Sequence, residues 1–313
     1  MADTNQTSSD RFILLGLSNL ESLQPILFLV FFMMYIMTLS GNLLLIIVVR
    51  INPKLQTPMY FFLSNLSIID ICLSSTIVPI ILKNILVMDR SISMLGCALQ
   101  MYFHLAFGST ECVSLSIMAY DRFAAICRPL HYNIIMNGKL CACLATGSCI
   151  MGFLNSAIHV VLTFQLPYCQ SHHVNHFFCE MPPFFRLSCR DTWLNEIATY
   201  IVEGNIAIRS FLLTLISYMH IISTIFKIRS SQGRYKAFST CVSHLTVVAL
   251  YFGTVMFVYL RSGSTYSPET DKTVSILYTA VTPMLNPIIY SVRNKDVKNT
   301  IKQKLKFKQA NRP

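Results

Sequence analysis

Seven stretches of this chain are each long and apolar enough to cross a lipid bilayer. No other feature restricts the fold so strongly. They run at about 25–49, 58–82, 94–120, 140–166, 197–226, 237–260 and 272–292. At about 1.5 Å of helix per residue, each covers a hydrocarbon core ~30 Å thick. Water is absent there, so a spanning segment must satisfy its own backbone polar groups, as a helix does. Only 12% of the 313 residues are charged and 53% are apolar; soluble domains carry roughly 25% charged residues. Nearly every residue belongs to a span or a short connector. The sequence therefore predicts an all-α membrane protein, a seven-transmembrane helix bundle forming a single domain over residues 1–313, with no soluble catalytic module.

The net charge of +11 would suit nucleic acid, but its placement argues otherwise. Of the 25 Lys and Arg residues, 17 fall on one side of the predicted membrane and seven on the other, with Arg209 inside a span. The positive-inside rule puts the C-terminus in the cytosol and, with seven spans, residues 1–24 outside. The basic charge then signals orientation and contact with anionic lipid. Residues 1–24 lack the pattern of a cleavable signal peptide, so the first span is expected to act as an uncleaved anchor. Asn5-Gln6-Thr7 is a glycosylation sequon on the outer side. Four of the 11 cysteines, Cys97, Cys169, Cys179 and Cys189, fall outside, an even set in an oxidising compartment that allows three pairings. In the tail, residues 293–313, Val297, Ile301 and Leu305 recur every four residues among lysines. They predict a short amphipathic helix along the inner leaflet after the last span, with a solvated basic tail as the alternative.

Ionisable groups inside spans are costly and point to function. Asp70 and Glu111 lie at similar depth, about 18 and 16 Å from the inner ends of their spans, with Asn42 and Asn286 in a nearby layer. Two neighbouring carboxylates do not both stay ionised without a cation or a shared proton. These four residues are therefore candidates for a sodium or proton site, or for a hydrogen-bonded cluster that fixes helix packing. Glu203 and Arg209 are six positions apart and lie on different helix faces; Glu203 is a candidate contact for a polar ligand. At the inner end of the third span, Asp121 and Arg122 can clamp each other or part. Pro283-Met-Leu-Asn-Pro-Ile-Ile-Tyr290 is a proline-broken last span. Pro287 removes a backbone hydrogen bond, Asn286 can hold the freed groups, and Tyr290 can swing at the cytosolic end. No HExxH, Walker loop or GxSxG is present, and the histidines make no zinc spacing with paired cysteines, so neither an enzyme nor a metal centre is expected.

Several ordered strings carry a family resemblance. Met118-Ala-Tyr-Asp-Arg-Phe-Ala-Ala-Ile-Cys-Arg-Pro-Leu-His-Tyr132 resembles the inner end of the third helix in rhodopsin-like G-protein-coupled receptors, and the olfactory receptor branch in particular. Gly41-Asn42, Leu55 to Ser67, Ser217-Tyr218, Lys236 to Val248 and Pro283 to Lys298 are similar to further olfactory receptor strings, of the tetrapod-type class. The resemblance implies an odorant receptor that activates a stimulatory G protein and raises cyclic AMP at the plasma membrane. It favours the pairing Cys97–Cys179, leaving Cys169–Cys189. It supports a sodium ion near Asp70 and Glu111. It marks Asp121, Arg122, Tyr218, His244, Asn286, Pro287 and Tyr290 for activation and coupling. His176 to Glu180 is similar to a string proposed to bind metal in this family, but a disulfide at Cys179 would remove its thiolate. The sixth span lacks the proline and tryptophan of many rhodopsin-like receptors; Tyr251 against the third span is the candidate trigger.

The resemblance also implies a small volatile ligand held between spans three, five, six and seven. Helical spacing nominates Met101, His104, Leu105, Gly108 and Cys112 on the third span. Opposite them stand Glu203, Ile206, Ala207, Tyr251, Met256, Tyr259, Ile276 and Thr279, a mostly apolar set with a few hydrogen-bonding groups. Ordinary helix packing would give the same stripe. The alternative function is an ion- or proton-translocating membrane protein using Asp70 and Glu111, although no repeat symmetry accompanies them.

Overall fold

Prolines and short polar side chains set where the helices begin. Pro25 and Pro58 occupy first turns, where a missing N–H costs nothing. Ser93 Oγ and Asn137 Oδ1 cap their helices by accepting from Gly96 and Leu140 backbone N–H at 3.1 and 2.9 Å. The computed structural model describes residues 11–16, 23–87, 89–169, 172–259 and 268–293. α1 (Gln24–Ile51), α2 (Pro58–Leu86) and α3 (Met94–Cys127) are the first three spans. A short α4 (Tyr132–Ile135) precedes α5 (Gly138–Phe164), the fourth. α6 (Met181–Leu187) lies in the outer loop, and α7 (Trp193–Lys227) and α8 (Ser231–Tyr259) are the fifth and sixth spans. The seventh is α9 (Pro268–Ile276), a π-helical turn (Leu277–Val281) and α10 (Thr282–Arg293).

All seven apolar runs are thus helical. Among the described residues, five helices (α1, α2, α5, α7 and α8) are long and apolar enough to span on their own. α3 carries Glu111, Asp121 and Arg122, and the seventh run is divided by its π turn. Several helices outrun the expected boundaries. α3 continues past 120 to Cys127 because Asp121 and Arg122 remain buried against each other. α7 and α8 begin at 193 and 231, ahead of the apolar runs at 197 and 237.

The bundle is apolar outside and keeps polar groups inside among apolar clusters, which suits lipid as solvent. Leu43, Leu44 and Ile47 on α1 and Ile208, Leu212 and Ile216 on α7 are exposed, while Asn42, Asp70, Glu111 and Asn286 are at most 1% exposed. α3 runs through the middle, packed against α2, α5, α7 and α8. Two glycines permit close helix approach, as small residues do in membranes. A Cβ on Gly41 would meet Pro287 Cγ at 3.0 Å, and one on Gly152 would sit 2.6 Å from the Ala106 carbonyl oxygen.

The N-terminal stretch, expected only as a polar segment, contains a strand. β1 (Arg11–Leu14) pairs antiparallel with β2 (Ser91–Ser93) and parallel with β3 (His173–Val174) of the outer loop. Phe12 and Leu14 alternate inward and are buried; the outward Ile13 between them is apolar too, so no polar–apolar alternation shows in the sequence. The structure joins Cys97 to Cys179 and Cys169 to Cys189. Asn5, the tail from 294 to 313 with its expected amphipathic helix, and the Tyr259 side chain lie outside the described residues.

Candidate functional site

α2, α3 and α10 bring Asp70, Glu111 and Asn286 together, and α1 sets Asn42 against α10. Asn286 Nδ2 donates to both Asp70 oxygens at 3.1 Å. Glu111 lies within electrostatic reach of Asp70. Asn286 also approaches Glu111, but neither Glu111 oxygen completes a hydrogen bond of good geometry. Asn42 takes a different part from the one expected of this layer. Pro287 cannot donate to the Pro283 carbonyl, and Asn42 Nδ2 donates to it at 3.1 Å. The freed carbonyl is therefore held by Asn42 of α1, and Asn286 turns to Asp70. Gly41, beside Asn42, gives α1 the close approach to Pro287 that this contact requires.

At the inner end, Arg122 Nη2 pairs with Asp121 Oδ2 at 2.5 Å, both side chains being buried. Tyr132 of α4 donates to Asp121 Oδ1 at 2.7 Å. Sequence reasoning missed Tyr132 as a partner, since nothing in its spacing shows that the chain turns back on Asp121. Tyr218 of α7 and His244 of α8 meet through Tyr218 Oη and His244 Nδ1 at 2.6 Å, with their rings stacked. Tyr290 is buried beside this layer, and its hydroxyl is without a hydrogen-bond partner among the described residues. Arg122 is held by Asp121, while His244 is engaged by Tyr218.

Further out, the nominated ligand residues divide into groups. Cys112, Ala207 and Tyr251 share one buried cluster, with Ile206 packed against it. Tyr251 Oη donates to the Gly108 carbonyl at 2.8 Å, tying α8 to α3. Met101 and Leu105 belong instead to the cluster beneath the outer loop, with Phe12, Cys179 and Phe184. Ile276 packs against Phe177 and Ala280. Thr279 is fully buried, its hydroxyl donating to the Ser275 carbonyl at 2.5 Å. His104 packs edge-on to Phe178, near Tyr278. Met256 and Glu203 are half-buried, whereas Arg209 is exposed on the outer face of α7.

Residues 176–180 close the mouth of the bundle. Cys179 N–H donates to Gln100 Oε1 at 3.0 Å, and Gln100 Nε2 donates to the Thr76 carbonyl at 3.0 Å. Tyr278 Oη donates to Glu180 Oε1 at 2.8 Å, and His176 Nε2 lies 3.6 Å from Glu180 Oε2. Burial pushes the Glu180 carboxyl up to about 7 and the His176 imidazole down to about 3. The Tyr278 and Gln100 contacts were not legible beforehand; they depend on how the loop is folded back, not on any local pattern.

Residues 31–308 of this helical membrane bundle match the family model for olfactory receptors. The chain belongs to the olfactory receptor family. The receptor is 49% identical to "Olfactory receptor 5AP2" of Mus musculus over 96% of its own length and 94% of that chain. It is 49% identical to "Olfactory receptor-like protein OLF1" of Canis lupus familiaris and 48% identical to "Olfactory receptor 5I1" of Homo sapiens, each over 98% of both chains. It is a multi-pass membrane receptor and not an enzyme.

Proposed function

We propose that this receptor binds small volatile odorants between spans three, five, six and seven and activates a stimulatory G protein, raising cyclic AMP. The observation that carries this reading is the Tyr251–Gly108 hydrogen bond. It joins α8 to α3 among the nominated pocket residues, on the two helices that also carry His244 and Arg122. A ligand that favours separation of α8 from α3 acts only through its differential affinity for the two arrangements. Separation frees Arg122 from Asp121 and opens an inner cleft for the G protein. The distribution of basic residues supports a cytosolic C-terminus and an outer N-terminus. Translocation through Asp70 and Glu111, the alternative reading, has no support from the family match.

The polar core also suits a sodium ion. Both Glu111 oxygens, Asn286 Oδ1 and Asn42 Oδ1 are buried without hydrogen-bond partners among the described residues, and hard oxygen donors of this kind suit hard cations. Asp70, Glu111, Asn286 and Asn42 would hold the ion. When bound, it supplies the positive charge that two adjacent carboxylates lack.

The test is cyclic AMP in cells expressing the receptor with an olfactory-type stimulatory G protein, challenged with a broad volatile panel. Arg122→Ala is run alongside at matched surface level. The expected outcome is a response in the parent and its loss in the variant. A response untouched by the substitution would sink the inner-gate mechanism.

A further inference from the structure

Span four carries a second polar face that the proposed mechanism leaves unused. Gly152, Asn155, Ser156, His159 and Thr163 of α5 recur at helical spacing and are all buried. Gly152 brings α5 close to α3. Just outward, three helices contribute polar groups to one seam. Asn155 Nδ2 donates to Ser109 Oγ of α3 at 3.2 Å, and Ser156 Oγ donates to the Tyr102 carbonyl of α3 at 2.5 Å. His159 Nδ1 lies 3.4 Å from Thr199 Oγ1 of α7. Two atoms remain. Asn155 Oδ1 and His159 Nε2 are buried, and neither has a hydrogen-bond partner among the described residues. Asn155 and His159 are 5% and 1% exposed, and buried polar atoms are expected to be satisfied.

Residues four apart on a helix are neighbours on one face, so both side chains lie on the buried face of α5 that meets spans three and five. The Thr199–His159 pair allows two tautomers; in the one where the Thr199 hydroxyl donates to Nδ1, Nε2 carries the imidazole proton and donates, while Asn155 Oδ1 accepts. The complementary group must accept one hydrogen bond and donate one. A hydroxyl does both. A carbonyl cannot donate, and an ammonium cannot accept. We propose that Asn155 and His159 form a binding site for one hydroxyl group, of water or of an alcohol ligand, at the junction of spans three, four and five. A bound hydroxyl bridges the two side chains and, through Ser109 and Thr199, ties α3 to α7.

The test is a double-mutant cycle of melting temperature on the full receptor extracted from membranes, with Asn155→Leu, His159→Phe and both together. In parallel, the same receptors are challenged with straight-chain alcohols and the matching aldehydes. Asn155 and His159 share no direct hydrogen bond, so the bridge predicts coupling: the double variant loses less than the two single losses combined. His159→Gln, which keeps a donor, should retain the coupling. If an alcohol ligand supplies the hydroxyl, each single variant weakens alcohols about tenfold relative to the aldehydes. If water supplies it, coupling persists and the alcohol-to-aldehyde ratio is unchanged. Additive melting losses with an unchanged ratio would overturn the site. The alcohol arm rests on the odorant reading, whereas the melting cycle does not. A receptor silent to every volatile counts against that reading while the cycle still decides the site.

Discussion

Glu180 and His176 face each other in the outer loop with opposite titration behaviour. Burial, the largest influence, raises the Glu180 carboxyl from 4.5 to about 7; the Asp271 and Glu203 charges add to it, and the Tyr278 hydrogen bond opposes it. A carboxyl raised on folding contributes stability that is full below pH 4.5, declines as pH rises, and is gone above about 7. Burial, helped by Lys272, lowers His176 from 6.5 to about 3. Its contribution is present above pH 6.5 and is lost on acidification toward 3. The two slopes oppose each other where the windows overlap, each by at most about 1.4 kcal/mol per pH unit. Glu180→Gln should therefore expose the His176 slope: its melting temperature should fall between pH 6.5 and 4.5 more steeply than the parent's. Equal slopes in melting curves would refute this. A second residue carries a signalling prediction. Tyr251→Phe removes the hydrogen bond to Gly108 and destabilises the closed pairing of α8 and α3 by about 1 kcal/mol. Basal cyclic AMP at matched surface level should rise several-fold; unchanged basal signal would remove Tyr251 as the trigger.

Among the elements, the α3–α5 contact makes the sharpest contrast. Gly152→Ala places a methyl group against a backbone carbonyl and should cost about 1–3 kcal/mol. Gly147→Ala, on the same helix with nothing within 4 Å of its Cβ position, should stabilise by up to about 1 kcal/mol. Melting of the two purified variants checks the opposite signs. The seventh span shows how far an element is legible in sequence. Its prolines announced a broken helix, but the π turn lies at Leu277–Val281, ahead of both. Pro283 has no N–H to offer the Thr279 carbonyl, so the helix rewinds one turn earlier. The Thr282 hydroxyl then donates to the Leu277 carbonyl at 3.0 Å. Proline type is visible in a sequence, whereas the place where the strain is absorbed depends on what packs around it.

Across the whole molecule, the buried carboxylates set the final prediction. If Asp70 and Glu111 share a sodium ion, replacing sodium with a bulky organic cation should lower the receptor's melting temperature, because a ligand that binds only the folded form stabilises it. Asp70→Asn should abolish the difference. An ion-independent melting temperature in the parent would leave a proton as the shared charge. The sequence by itself determined the seven crossings, the apolar exterior, the receptor strings and the positions of Asp70, Glu111, Asp121 and Arg122. Hydropathy and motif spacing are local properties, readable along the chain. The tertiary structure decided which of these groups meet. It put Asn286 on Asp70, 216 positions away, and Asn42 on Pro283. It placed Tyr132 on Asp121, β1 between β2 and β3, and Ser109 and Thr199 against Asn155 and His159. Such partnerships follow from the rotation and close approach of whole helices, set by the sum of many small packing contacts and written in no single stretch of residues.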